Sequence, residues 1–151
     1  ENGDLQVKIE KLNSIDFLNS AVNKMKNHDS ANGRIIIIDE DSANKEFESD
    51  KILLQRVMIN LLKNALEATP EGGTVNTGCR SEGQKMHFFV KNSMVMPKEA
   101  QLQVFQRSFS TKEIGRGIGT YSVKLLTENY LNGNVSFVSD EAQGTVFTFT
   151  L

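Results

Sequence analysis

Between Asp50 and Thr69 the chain reads DKILLQRVMINLLKNALEAT. Turned at about 100° per residue, Leu54, Val57, Met58, Leu61, Leu62, Ala65 and Ala68 fall on one broad apolar arc, and Arg56, Asn60, Lys63, Asn64 and Glu67 on a narrow polar one. The pattern predicts a single amphipathic helix capped at Asp50, with a polar seam along one side. Upstream, Leu5, Val7 and Ile9 alternate with Gln6, Lys8 and Glu10 as in a half-buried strand. Ser14 offers an N-cap and Asp16 suits a first turn. Ile15, Leu18, Val22 and Met25 then recur at helical spacing, with Asn32-Gly33 as the stop. This first helix is expected to cover a sheet. The run from Arg34 to Asp39, RIIIID, reads as a buried strand, and Phe47 lies in a short extended piece.

Downstream of Pro70, Gly72 and Gly73 the period changes to two. Val75, Thr77 and Cys79 alternate with polar or small residues and, after a turn at 81–84, so do Met86, Phe88 and Val90, which predicts a hairpin. Pro97 opens a short helical turn reaching Val104. FQRSFSTKEIGRGIGT has no clear period and reads as a mobile loop. A helix resumes from Ile118 to Leu131 through Tyr121, Leu125 and Leu126, with Gly133 as its stop, and a second hairpin, Val135–Ser139 and Val146–Leu151, closes the chain. Long helices between antiparallel hairpins predict a two-layer α/β sandwich rather than a parallel doubly wound sheet.

Composition narrows the function classes. A chain of 151 residues with 38% hydrophobic and 24% charged residues and a formal net charge of −2 fits one ordinary globular domain. That balance lacks the basic excess of a nucleic-acid binder. The single Cys79 excludes an internal disulfide and a cysteine metal cluster, is consistent with a reducing compartment, and reads as a small strand residue. No apolar run reaches the length of a membrane span, and the opening ENGDLQVKIE is not a signal peptide. The expectation is a soluble cytoplasmic piece making no direct membrane contact, whatever anchors its parent protein.

Two stretches carry chemistry. Asparagine is a poor helix former, and a purely solvated face would more naturally carry Lys, Glu or Gln. Asn60 and Asn64, one turn apart on the seam, therefore suggest a ligand such as a hydrated cation or phosphates. The second stretch is Gly115-Arg116-Gly117-Ile118-Gly119 directly before a helix. Glycines let backbone N–H groups approach an anion, and a helix start adds unpaired donors and a positive dipole end. The alternative is a flexible connection. Around it Arg107, Lys112 and Arg116 stand against Glu113, Ser110 and Thr111 add hydroxyls, and Lys112 suits a polyphosphate.

NLLKNALEAT, a strand ending in VKNSMVMP, then FQRSFSTK, GRGIG and GTVF, in that order, resemble the N, G1, F, G2 and G3 boxes of the ATP-binding catalytic domain of sensor histidine kinases. That superfamily also holds gyrase, mismatch-repair ATPases and heat-shock chaperones. The resemblance covers about residues 47–151, and the first helix by topology. It implies a Bergerat-type ATP-binding fold: a mixed, mostly antiparallel sheet covered on one face by about three helices, with a flexible lid at about 105–118. It implies ATP and Mg²⁺ as cofactors, with Asn64 as the Mg²⁺ ligand and Asn60 facing the same phosphates. Thr111, Lys112 and Arg116 would lie in the lid near the phosphates, amides around Gly115, Gly117, Ile118 and Gly119 would cradle them, and Asn92 and Thr145 would hold adenine. Gly144 is equally readable as a hairpin glycine and Thr145 as a plain strand residue.

Two positions depart from the family pattern. Asn92 stands where an aspartate is usual, and a carboxamide can accept from adenine N6–H and donate to N1. Met94 and Met96 replace small residues and either narrow the pocket or floor the base. At Asn60 the superfamily's ATPases carry a glutamate that activates water, which asparagine cannot do. That favours transfer of the γ-phosphate to an external histidine over hydrolysis. Glu67 stands where many such kinases have a phosphate-contacting lysine, and reads as a supporting partner or a surface residue. Neither His28 nor His87 is followed by a phosphoacceptor motif. The implied partners are therefore a dimerisation domain carrying the acceptor histidine, in the same protein, and the receiver domain of a response regulator. The competing readings are a degenerate nucleotide-binding or scaffolding module and, disfavoured by Asn60, an ATPase.

Overall fold

The computed structural model describes residues 6–106 and 114–151. Five strands form the main sheet in the order β2 (Ile35–Ile38), β4 (Thr74–Glu82), β5 (Lys85–Asn92), β7 (Gly144–Thr150), β6 (Asn134–Asp140). Only the β2–β4 pair is parallel. Helices α1 (Ser14–Lys26), α2 (Lys51–Ala68) and α4 (Ile114–Leu125) pack against one face, with α2 touching both of the others. A separate ribbon pairs β1 (Ile9–Asn13) with β3 (Glu46–Asp50), and α3 (Lys98–Gln103) follows β5. This is the two-layer sandwich with a mostly antiparallel sheet that the pattern predicts. Among the described residues no helix is long and apolar enough to cross a membrane.

Phe88 is the centre of the core. It meets Phe17 edge-on at 5.3 Å and stacks on Phe149 at 5.2 Å, so α1 and two strands share one fully buried ring. Leu54, Val57, Met58, Leu61, Leu62 and Ala65 of α2 are buried as their arc predicts, and so are Leu53 and Leu66. Ala68 of the same arc is exposed in the last turn. Asp50 caps α2 as expected, its Oδ1 accepting from Leu53 N at 3.0 Å, and its Oδ2 accepts from Lys8 N at 2.7 Å. Losing a buried cap that also ties down β1 costs about 1–2 kcal/mol. We expect Asp50→Ala to lower the urea midpoint accordingly, and Asp50→Asn, which keeps one oxygen, to lower it less.

Several boundaries differ from the pattern. The first strand is β1 at Ile9–Asn13, and Ile9, expected inward, is 59% exposed, because pairing with β3 turns Leu12 and Phe47 to the core instead. The N-cap of α1 is Asn13, whose Oδ1 accepts from Asp16 N. Ser14 is the first helical residue, and its hydroxyl donates to Ala43 O and accepts from Lys45 N, tying α1 to the loop before β3. The helix ends at Lys26, and a 3₁₀ turn, Asp29–Ala31, fills the interval to Gly33. β2 is a sheet edge rather than a buried strand, with Ile35 58% and Ile37 46% exposed on the uncovered face and Ile36 buried under α1.

At the other end, α4 is already helical at Ile114, four residues before the expected Ile118, and gives way at Leu126–Tyr130 to a π-helical turn. The spacing of Ile114, Ile118, Tyr121 and Leu125 is continuous in register, and that continuity outweighs the roughly 1 kcal/mol that each interior glycine costs a helix. The turn is reversed by Asn132 at φ 58°, not by Gly133. Gly133 serves a close approach: a Cβ there would lie 2.0 Å from Thr150 O.

Candidate functional site

The seam of α2 divides by depth. Arg56 and Lys63 are exposed, whereas Asn60, Asn64 and Glu67 are half-buried on one stripe of the helix. Glu67 already has an interaction within the protein. Neither the Asn60 nor the Asn64 side chain makes a hydrogen bond among the described residues, so two carboxamides a turn apart stand half-sheltered with open capacity. Their oxygens suit a hard cation such as Mg²⁺, which keeps most of its waters and takes few protein ligands.

The second part of the site lies where β5 ends and β7 begins. Strand alternation puts Asn92 on the same face as Met86, Phe88 and Val90, under the helices, and directly opposite Thr145 in the β5–β7 register. Asn92 Oδ1 accepts from Met94 N at 2.9 Å, closing an Asx turn. The strap Met94–Met96 is then stitched to the sheet. Met96 N donates to Ser139 Oγ at 2.8 Å, and Thr145 Oγ1 donates to Met94 O at 2.8 Å. The Ser139 and Thr145 hydroxyls lie 2.8 Å apart. A carbonyl only accepts, so the Thr145 proton is spent on Met94, and Ser139 must donate to Thr145. Gly144 makes the approach possible: its φ is +74°, and a Cβ would stand 2.2 Å from Asn92 O. Met94 and Val95 remain over 40% exposed beside the strap.

The third part is the entry to α4. Thr120 Oγ1 donates to Val104 O at 2.5 Å, and Phe105 packs edge-on against Phe137 and Phe147 with Lys124 Nζ 5.5 Å from its ring centre. The chain is thus pinned on both sides of 107–113. Arg107, Ser110, Thr111, Lys112 and Glu113, and with them most of the expected lid, lie outside the described residues. Gly115, Arg116, Gly117, Ile118 and Gly119 are placed by backbone alone, in the first two turns of α4. Residues 114–117 make up the first described turn of α4. The amides of Ile118 and Gly119 fall in the next turn.

The structure therefore gathers Asn92, Gly144 and Thr145 into one cluster and keeps Asn60 and Asn64 together on α2. No hydrogen bond joins the two groups among the described residues. Sequence reasoning missed Ser139, which no local pattern distinguishes from an ordinary strand serine; its partner Met96 is 43 residues away. The two histidines are occupied elsewhere. His28 Nδ1 caps the 3₁₀ turn, while His87 Nδ1 meets Thr150 Oγ1 and its Nε2 lies 3.3 Å from Glu82 Oε1, too poorly aligned for a hydrogen bond. Burial pushes the Cys79 thiol up in pKa, and its Sγ donates to Ala43 O, as suits a structural strand residue. The Arg80 guanidinium, hydrogen-bonded to Asp39 at 2.7 Å, holds that carboxyl below its usual range, away from the seam.

The profile of a family described as histidine kinase-, DNA gyrase B- and HSP90-like ATPase matches residues 49–151. The sensor protein TdiS of Thauera aromatica is 34% identical over 108 residues, which is 67% of this chain and 20% of that protein. The chain thus spans about a fifth of that relative. Among solved structures, histidine kinase ThkA in complex with the response regulator protein TrrA superposes with a TM-score of 0.81 at 22% identity, covering 96% of this chain and 42% of that one. Full-length ShkA in complex with AMPPNP gives a TM-score of 0.83 at 19% identity, covering 97% and 31%. At such identities these two structures establish a shared fold.

Proposed function

Because the chain belongs to the family of histidine kinase-, DNA gyrase B- and HSP90-like ATPases, we propose that it is the ATP-binding catalytic portion of a sensor histidine kinase, handing the γ-phosphate of ATP to a histidine on a separate dimerisation domain. The observation that carries this reading is the open asparagine pair on α2. Asn64, with Asn60, would hold Mg²⁺. Bound there, the ion supplies positive charge against the phosphate oxygens. Asn60 also stands where hydrolysis would need a carboxylate. A carboxamide cannot take a proton from water at neutral pH, so water near the γ-phosphate stays a poor nucleophile and the phosphoryl group waits for an acceptor.

The remaining residues bind and orient. The lid at about 105–118 brings Lys112 and Arg116 to the phosphates, with Thr111 beside them. The glycine-rich first turns of α4 bring the backbone amides around Gly115 and Gly117 to the same anions, with Ile118 and Gly119 one turn behind. The base lies at the strand ends, held by Asn92 with Thr145 alongside, against the apolar surface of Met94 and Met96. The ThkA–TrrA complex supports a response regulator as the downstream partner. The ShkA–AMPPNP complex supports an adenine nucleotide as ligand.

The test is transfer in trans. Incubated with γ-labelled ATP, Mg²⁺ and a dimerisation domain carrying a phosphoacceptor histidine, the chain should label that domain. Nucleotide binding without labelling would leave a scaffold, and steady phosphate release without an acceptor would make it an ATPase.

A further inference from the structure

We infer that Ser139 is a positioning residue for the base end of the nucleotide site, acting on Asn92 through Thr145 and the Met94–Met96 strap; the inference rests on the nucleotide site proposed above. In the sheet register Asn92 stands opposite Thr145, and Thr145 opposite Ser139. The three form one polar row across β5, β7 and β6, on the face under the helices. The matching row one step into the core, Val90, Phe147 and Phe137, is apolar. Asn92 and Thr145 are buried and Ser139 is half-buried, so the row closes the core on the side where the base is proposed to lie.

The strap needs these side chains because its backbone has no ladder. Met94, Val95 and Met96 make no backbone–backbone hydrogen bond among the described residues, and Met94 and Val95 are largely exposed. Side chains supply the ties instead: Ser139 Oγ accepts from Met96 N, and Thr145 Oγ1 donates to Met94 O, each at 2.8 Å. With the Thr145 proton committed to a carbonyl, the 2.8 Å contact between the two hydroxyls is filled by the Ser139 proton. Ser139 thus accepts from the strap and donates into the sheet. Removing its hydroxyl breaks two links at once, leaving the Met96 amide without its acceptor and Thr145 without its donor.

Asn92 feels that loss through Met94. Its Oδ1 accepts from Met94 N at 2.9 Å, and the carbonyl of the same residue is the one that Thr145 holds. A segment with few ties opens locally at low cost. Once freed at Met96, the strap and the Asn92 carboxamide have to be ordered again each time nucleotide binds, and that ordering is subtracted from affinity. The phosphates are held elsewhere, by α2 and the start of α4. The loss therefore falls on binding and not on transfer from the saturated complex.

Wild type, Ser139→Ala and Ser139→Thr are compared by titration with Mg-ATP, by the rate of transfer to a supplied dimerisation domain at saturating ATP, and by unfolding without nucleotide. Ser139→Ala should weaken Mg-ATP binding by about tenfold and keep the saturated rate within about twofold of wild type. Ser139→Thr, which returns the hydroxyl, should restore the affinity. Ser139→Cys keeps the shape of the side chain but bonds weakly, so it should shift affinity in the same direction and takes the place of alanine if Ser139→Ala does not fold. A folded Ser139→Ala that binds Mg-ATP as wild type does, whatever its unfolding midpoint, makes Ser139 a structural residue only and overturns the inference. A loss confined to the saturated rate, or one that Ser139→Thr leaves unrepaired, overturns it as well. All of these outcomes leave the nucleotide site standing; if wild type binds no Mg-ATP, the proposed function falls and the inference with it.

Discussion

Asn64→Ala should lower phosphotransfer from ATP by on the order of a hundredfold or more while leaving the melting temperature unchanged or slightly raised. The two halves of that expectation come from the same observation. Asn64 is half-buried on α2 and its side chain has no hydrogen bond among the described residues, so the fold loses no hydrogen bond when its carboxamide is removed. Alanine is the better helix former by a few tenths of a kcal/mol. A residue that costs stability where it stands and is retained for a ligand shows this signature, lost function with no lost stability. Transfer to a supplied dimerisation domain and thermal unfolding, measured on one preparation, separate the outcomes. If Asn64→Ala destabilises the chain, the side chain is a packing element and its assignment to Mg²⁺ fails.

Gly144→Ala should destabilise the chain by about 3 kcal/mol, because two independent costs add. A left-handed backbone costs a non-glycine residue roughly 1–2 kcal/mol. A Cβ 2.2 Å from Asn92 O forces the Asn92–Ser93 backbone to move, a cost of similar size. The movement falls on the strap that Ser139 and Thr145 pin, so nucleotide binding should weaken together with stability. A shift of the denaturant midpoint at constant m-value reads the first effect, and nucleotide titration of the variant that remains folded reads the second. A midpoint change below about 0.5 kcal/mol, the size of an ordinary surface substitution, would show that the two strand ends do not pack so closely.

What the sequence made legible follows from the range of the forces involved. α2 was readable because its signal is local: a period of 3.6, an aspartate cap, and two asparagines out of place on a polar seam. The hairpins were readable for the same reason. The isoleucine run at 35–38 reads as buried, since a short apolar run does not reveal whether helices cover both faces of its strand, and here only the face with Ile36 is covered. Ser14 and Asn13 are both good caps, and the loop at 43–45 decided between them by recruiting the serine hydroxyl. The glycines of α4 argued for a loop, and the continuous register of Ile114, Ile118 and Tyr121 carried the helix through them.

The site shows the same division. Asn60, Asn64 and Asn92 announced themselves by residue type at a position where that type is unexpected. Ser139 did not, because its function depends on a strap from another part of the chain. The orientation of the Asn92 carboxamide is likewise a tertiary fact, fixed by one backbone N–H two residues on. The proposed catalysis depends on nucleotide occupying the space between α2 and these strand ends.

Thermal unfolding of the chain with ATP, in Mg²⁺ and again in excess chelator, tests that dependence directly. Ligand held at about a hundred times its dissociation constant should add about 2.7 kcal/mol to stability, and the gain should appear with Mg²⁺ and collapse in the chelator. Unfolding that is indifferent to millimolar Mg-ATP would contradict the account.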